Sequence, residues 1–249
     1  MRITTCRSAA VALVLAALAA PSALANNYGL TWLNFAPVPF NTSVPNNSVY
    51  NLPGVGPVTV NYSFSGPVTD ARVGNPLLAS GSVVSGPDTY SWTNHESFGV
   101  VPSGPNLLTG WRITFTFPTT QAANTIYLGV SGLGRTTSFG GGQTLAQCAQ
   151  NGTFLGDWTG GGNYGPTQFT GGVGSFSMIN SLTGAGGADP WWNTPLAVVQ
   201  INDAVSSITV NFENLRGDGV GVNIAVVPTP GAAALLGLGG LAAVRRRRR

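Results

Sequence analysis

Apolar residues recur at every second position through the middle of the chain, and this period of two constrains the fold more tightly than any other feature. Val58, Val60, Tyr62 and Phe64 form one such run, and Trp111, Ile113, Phe115 and Phe117 form another. Ile126, Leu128 and Val130 continue the series, followed by Ile208, Val210 and Phe212 and then by Val220, Val222, Ile224 and Val226. Successive side chains of a strand point to opposite faces, so each run predicts a half-buried strand. Leu30 to Phe35 and Ala197 to Ile201 predict shorter ones.

The body contains no amphipathic helical pattern of normal length, and 35 glycines and 17 prolines cut it into short pieces. The expectation is an all-β domain, an antiparallel β-sandwich that is jelly-roll-like, in preference to an up-and-down barrel. Asn214-Leu215-Arg216-Gly217-Asp218-Gly219 offers glycines suited to positive φ, which predicts that the last two strands form a terminal hairpin. Gly132 to Gly187, rich in Gly, Asn, Thr and Gln, predicts long loops with one or two irregular strands around Gly172 to Ile179.

The two ends read differently from the body. Arg2 and Arg7 precede an uninterrupted apolar run, Ala9 to Ala20, and Ala23-Leu24-Ala25 has the small-x-small form that signal peptidase requires. As a helix the run would reach only about 18 Å, short of a hydrocarbon core of about 30 Å, so a removable secretion signal is expected over residues 1–25. At the other end, Pro228-Thr229-Pro230 leads into an Ala/Leu/Gly stretch closed by Arg245, Arg246, Arg247, Arg248 and Arg249. Terminal arginines hold that end on the cytoplasmic side of a membrane.

The segment VPTPGAAALLGLGGLAAVRRRRR resembles the PEP-CTERM sorting tail of Gram-negative-type bacteria over residues 228–249. The resemblance implies recognition by an exosortase-like transpeptidase, cleavage near the Pro motif, and delivery to the cell surface or exopolysaccharide matrix. Unprocessed protein would be held in the membrane by its tail. Thr229 stands where that family usually has glutamate, which implies a variant subfamily. The remaining residues, 26–227, form the expected β-sandwich domain.

Charge follows the same division. The formal net charge of +3 comes from the ends, because the body holds only Arg72, Arg112, Arg135 and Arg216 against eight acids, a net charge of −4. Nucleic-acid binding by phosphate neutralisation is excluded on that balance. Charged residues make up 8% of the chain and lysine is absent, so Gly, Asn, Thr and Ser carry the polarity. Once the signal is removed Cys148 is the single cysteine, which rules out an intramolecular disulfide and reads as a small buried apolar residue.

Few residues invite chemistry. His95 is the one histidine, which excludes every site needing two imidazoles, and no Gly-x-Ser-x-Gly elbow occurs in a strand-to-helix context. Glu96 and Glu213 are the only glutamates and the one candidate pair for glycoside hydrolysis. The aspartates mostly flank Gly, Asn or Pro and read as turn formers, with a calcium site in their loops as the other option. In Asp189-Pro190-Trp191-Trp192-Asn193, Trp191 and Trp192 either stack on sugar faces or cover one end of the core. The expectation is therefore a non-enzymatic, surface-sorted structural or adhesive protein with no cofactor, no metal and no catalytic residues. A carbohydrate-binding module using Trp191 and Trp192 is the alternative, and a glycan hydrolase using Glu96 and Glu213 the third reading.

Overall fold

The computed structural model describes residues 24–35, 42–65, 72–74, 80–93, 97–100, 110–134, 142–160, 164–181, 194–214 and 219–228. These residues are all-β. The first strands are β1 (Asn27–Gly29), β2 (Thr31–Trp32), β3 (Thr42–Ser43), β4 (Ser48–Leu52), β5 (Gly56–Ser65) and β6 (Arg72–Gly74). The middle of the chain supplies β7 (Gly81–Ser85), β8 (Asp88–Trp92), β9 (Ser97–Val100), β10 (Gly110–Gln121), β11 (Ile126–Ser131) and β12 (Leu145–Cys148). The last are β13 (Gly152–Trp158), β14 (Thr167–Gly172), β15 (Ser175–Asn180), β16 (Leu196–Ile201), β17 (Val205–Glu213) and β18 (Val220–Val226).

Two large antiparallel sheets face each other as a β-sandwich. One has seven strands in the order β14-β15-β12-β17-β10-β5-β4. The other has eight, in the order β13-β16-β11-β18-β9-β6-β3 with β2 added against β18. The alternating residues of the sequence meet between them: Trp111, Ile113, Phe115, Ile208, Val210 and Phe212 from one sheet, and Leu128, Val130, Val199, Val222 and Ile224 from the other. Phe98 joins the layers, its ring centroid 5.6 Å from Trp111, 5.4 Å from Tyr62 and 5.8 Å from Phe35. Burying one such ring contributes about 1.5–3 kcal/mol.

A third, three-stranded sheet, β1-β8-β7, covers the outer face of the eight-stranded one over β13, β16, β11 and β18. Val83, Tyr90 and Trp92 from this small sheet pack with Trp32, Tyr127, Leu196, Val198 and Ala225 as a second core. Trp32 meets Trp92 edge to face at 5.8 Å, and Tyr90 lies 5.6 Å from Tyr127. Within this cover β1 runs parallel to β8, so the expectation of a wholly antiparallel domain fails at that one pairing.

Three further expectations change. The runs in β11 and β18 are buried at every residue rather than at every second one, because the small sheet takes up their outer positions. The terminal hairpin is absent: β17 belongs to the seven-stranded sheet and β18 to the eight-stranded one, so their connection crosses the sandwich. A short Gly-rich connection serves a crossing as well as a hairpin. The Gly-rich region holds four regular strands, β12 to β15, two of which form the hairpin turned by Val173 and Gly174 (φ 75°). Its glycines make room for rings; a Cβ on Gly152 would lie 2.7 Å from Phe176.

Gly129 on β11 shows how tightly the cover is fitted. A Cβ there would stand 2.7 Å from Trp32 Cη2 and 3.1 Å from Leu196 Cδ1. Gly129→Ala is expected to cost about 1–3 kcal/mol by overpacking, read as a lower urea midpoint. The indole fluorescence of the Trp32–Trp92 pair should change with it.

Candidate functional site in the polar face of the seven-stranded sheet

With the small sheet over the other layer, the outer face of the seven-stranded sheet is the broad surface that the described strands present to solvent. The same alternation that sends Trp111, Ile113 and Phe115 inward sends Arg112, Thr114 and Thr116 outward. Strand register aligns the outward residues into rows. Thr170, Ser177, Gln147, Asn211, Arg112 and Ser63 form one row across six strands. At about 4.8 Å per strand it is roughly 24 Å long. Thr209, Thr114 and Asn61 form the next, and Ser207, Thr116, Thr59 and Val49 a third.

Hydrogen bonds set this surface. The Thr114 and Thr209 hydroxyls meet at 2.8 Å, and Arg112 Nε donates to Asn211 Oδ1 at 2.7 Å. A guanidinium has four further N–H donors. Asn46 continues the edge beyond β4, its Oδ1 accepting from the Tyr62 amide at 2.8 Å and its Nδ2 donating to the Tyr62 carbonyl at 2.9 Å. Thr is β-branched and suits a strand, and its hydroxyl keeps the face wet, so this composition serves fold and solvation together.

Most residues singled out from the sequence are not among those described on this face. Trp191, Trp192, His95 and Glu96 lie outside the described residues, as do Ala23, Thr229, Pro230 and Arg245 to Arg249. Glu213 is exposed at the end of β17, paired in register with Leu145, and no Glu96–Glu213 pair is part of the described site. Ala25 and Pro228 are both exposed. Among the described residues no three His, Cys, Asp or Glu side chains gather as a metal would require. The segment bearing Trp191 and Trp192 leaves from Ser181 and returns at Thr194. Both feet are tied: Ser181 Oγ donates to the Pro166 carbonyl at 2.8 Å, and Thr194 Oγ1 accepts from the Leu133 amide at 2.9 Å. The row residues themselves were not singled out from the sequence, although the polar positions interleaved with each apolar run were the signal for them.

Three titratable groups show distinct environments. Cys148 is buried, as expected, and burial pushes its thiol up to about 12, so it is unreactive near neutral pH. Asp203 is a turn residue, as its type suggested; it accepts from Asn151 N at 2.6 Å and Asn151 Nδ2 at 2.8 Å, which holds its carboxyl below the usual range. Asp157 departs from that pattern, because it sits within β13 and burial pushes its carboxyl up. Its Oδ2 accepts from the Thr167 amide at 2.9 Å, whereas Oδ1 is buried without a hydrogen-bond partner. The Thr167 hydroxyl is also buried and stands outside hydrogen-bond geometry.

No family model matches the chain, and no curated protein does. Among solved structures, the enzymatically active domain of the bacteriophage CBA120 tailspike protein 4 aligns with 67% of this chain at 14% identity and a TM-score of 0.32. The chain spans 19% of that protein's length. A carbohydrate-binding module that recognises mannan aligns with 66% of this chain and 86% of its own length, at 11% identity and a TM-score of 0.19. Likenesses of this size establish neither a shared fold nor a shared activity.

Because its folded pKa is raised, Asp157 holds its proton more tightly in the folded than in the unfolded chain. It therefore detracts from stability at neutral pH, and that cost disappears as pH falls toward the ordinary carboxyl value of 3.8. Asp157→Asn keeps an acceptor for the Thr167 amide. It is expected to stabilise the protein at pH 7 and to lose that advantage near pH 4, measured by urea unfolding at both pH values.

Proposed function

We propose that this chain is an exported, non-enzymatic β-sandwich, jelly-roll-like in its winding, that acts as a structural or adhesive component of the bacterial envelope or extracellular matrix. Its polar sheet face lies against hydrated polysaccharide. The observation that carries the reading is the six-strand row of hydrogen-bonding side chains, neutral but for Arg112. Hydroxyl and amide groups exchange bonds with sugar hydroxyls, directly or through water, at little desolvation cost, so many weak contacts add over a wide area. From β9 to β18 successive strands alternate between the two large sheets except at the β14–β15 hairpin, which supports the jelly-roll description. Signal peptidase and an exosortase-like enzyme are the processing partners on this reading, and the tail provides membrane attachment before release.

One contact supports removal of the signal after Ala25. Asn26 N lies 3.0 Å from Asp88 Oδ1, with Asn26 Nδ2 at 3.1 Å from the same oxygen, and the Asn26 carbonyl accepts from Thr89 N at 2.9 Å. Cleavage after Ala25 would place the new α-ammonium group against that carboxylate and convert an amide–carboxylate hydrogen bond to an ion pair. Intact mass of protein from the native host is expected to show a start at Asn26 and loss of residues after about Val227. A retained arginine tail would contradict sorting. In the processed protein Asp88→Asn is expected to lower stability by about 1 kcal/mol or less, with the difference shrinking in high salt.

A second reading takes Trp191 and Trp192 as the stacking platforms of a carbohydrate-binding module, and what supports it is that Ser181 and Thr194, on either side of 182–193, are both tied by hydrogen bonds. Retention on the host exopolysaccharide, followed by affinity electrophoresis, separates the two. On the first reading Thr114→Ala combined with Arg112→Ala weakens retention severalfold and Trp192→Ala does not. The reverse pattern identifies the tryptophans, and no retention at all rejects both.

A further inference from the structure

A sheet edge offers unpaired N–H and C=O groups to any free strand, and proteins blunt such edges by brevity, bulges, proline, charge or cover. Three of the four ends of the two large sheets are treated in this way. β3 is two residues long. β13 carries a bulge between Phe154 and Gly156, and Val83 of β7 lies 3.5 Å from where a Gly156 Cβ would stand. β4 is confined to five residues between Pro45 and Pro53.

The fourth end, β14, is six residues long, and among the described residues its outward amides meet only Asp157 of β13, at Thr167. Its sequence TQFTGG carries no charge and no proline after Pro166, four of its six residues are exposed, and the hairpin tip beside it holds a completely exposed Val173. The direction of its free groups can be assigned. Ser181 N donates to the Pro166 carbonyl at 2.9 Å, so that pair faces β15, whereas Thr167 N points the other way to Asp157 Oδ2. Backbone groups alternate along a strand, so the amides of Phe169 and Gly171 share the outward direction of Thr167. Asp157 caps the first outward amide and leaves the next two available.

We propose that β14 pairs antiparallel with β14 of a second copy of this chain, closing a two-fold dimer in which two seven-stranded sheets continue as one. In that register Phe169 of one copy faces Gly171 of the other, each pair exchanging two backbone bonds, and Thr170 lies on the axis. The strand fits itself for three reasons. It is neutral, so apposing two copies brings no like charges together. The Phe169 ring covers its own Gly171, lying 3.1 Å from where a Cβ would stand, so the aromatic side chain is already placed over the glycine. Thr170 meets its counterpart on the polar face, where the Thr114–Thr209 pair shows the same contact within the chain. Blunting of the other edges stops assembly at two copies rather than a filament. The dimer doubles the width of the polar face, which would raise avidity for a repeating polymer.

The test uses the full chain in detergent, by sedimentation equilibrium across a concentration series together with amide hydrogen exchange. A dimer is expected whose dissociation constant rises roughly tenfold or more with Thr170→Lys, which sets two cations on the axis, and with Gly171→Pro, which removes an outward donor. Thr116→Lys, on the same face but away from the edge, should leave it unchanged. The Phe169 and Gly171 amides of the unmodified chain should exchange more slowly as concentration rises, a readout that needs no variant to fold. A monomer throughout, or a dimer indifferent to both β14 substitutions with concentration-independent exchange at Phe169 and Gly171, would overturn the proposal.

Discussion

Burial of the central strands β11 and β18 of the eight-stranded sheet on both faces is the constraint from which the other features of this protein follow. A sandwich sheet ordinarily keeps one wet face, and its strands alternate accordingly. Here Trp32, Tyr90 and Trp92 close over Tyr127, Val198 and Ala225, so β11 and β18 have no wet face. That demands small or internally satisfied groups at the outer positions. Gly129 lies beneath Trp32, and Asn223, fully buried, donates to the Leu33 carbonyl at 3.1 Å while its Oδ1 accepts from Ile224 N at 2.7 Å. An unsatisfied amide at that depth would cost about 1–3 kcal/mol. The covered strands thus keep no face for solvent, and the regular wet face of strands in register belongs to the other layer.

The division explains why two surfaces of one molecule look so different. The core side of the seven-stranded sheet is aromatic, with Trp111 stacked on Phe212 at 5.0 Å, and its outer side is threonine, serine and asparagine. Both come from the same strands in alternation, so the regularity of one row enforces the regularity of the other. A one-residue slip of β10 against β17 would move Trp111 and Phe115 into water and Arg112 into the core. The precision of the polar rows is therefore inherited from packing on the hidden side.

The strands were legible because their apolar period is two, and the inward residues of β5, β10 and β17 follow directly from it. The cover was not. Nothing in Ile126 to Ser131 distinguishes a strand with one buried face from one with two, except that no charged residue interrupts it. The connection from β17 to β18 misled for a related reason: glycines report that a backbone can bend, not which sheet it enters. The glycines from Gly132 to Gly187 suggest long loops with one or two irregular strands because glycine signals flexibility, whereas Gly152 is a docking place for Phe176 and Gly156 part of a bulge. Candidate site residues were sought as rare types, a histidine, a tryptophan pair, two glutamates, while the described surface is built from common ones in register.

Asp157 draws these threads to one point. A half-buried carboxylate between β13 and β14 is costly, and its Oδ1 remains without a hydrogen-bond partner. Its other oxygen takes the outward amide of Thr167, the first residue of the bare strand β14. Leaving that amide both buried and unpaired would cost a comparable amount, so the acid and the amide each lessen the other's penalty. The arrangement also marks where protection stops: one oxygen caps one amide, and beyond it β14 runs out into solvent uncapped.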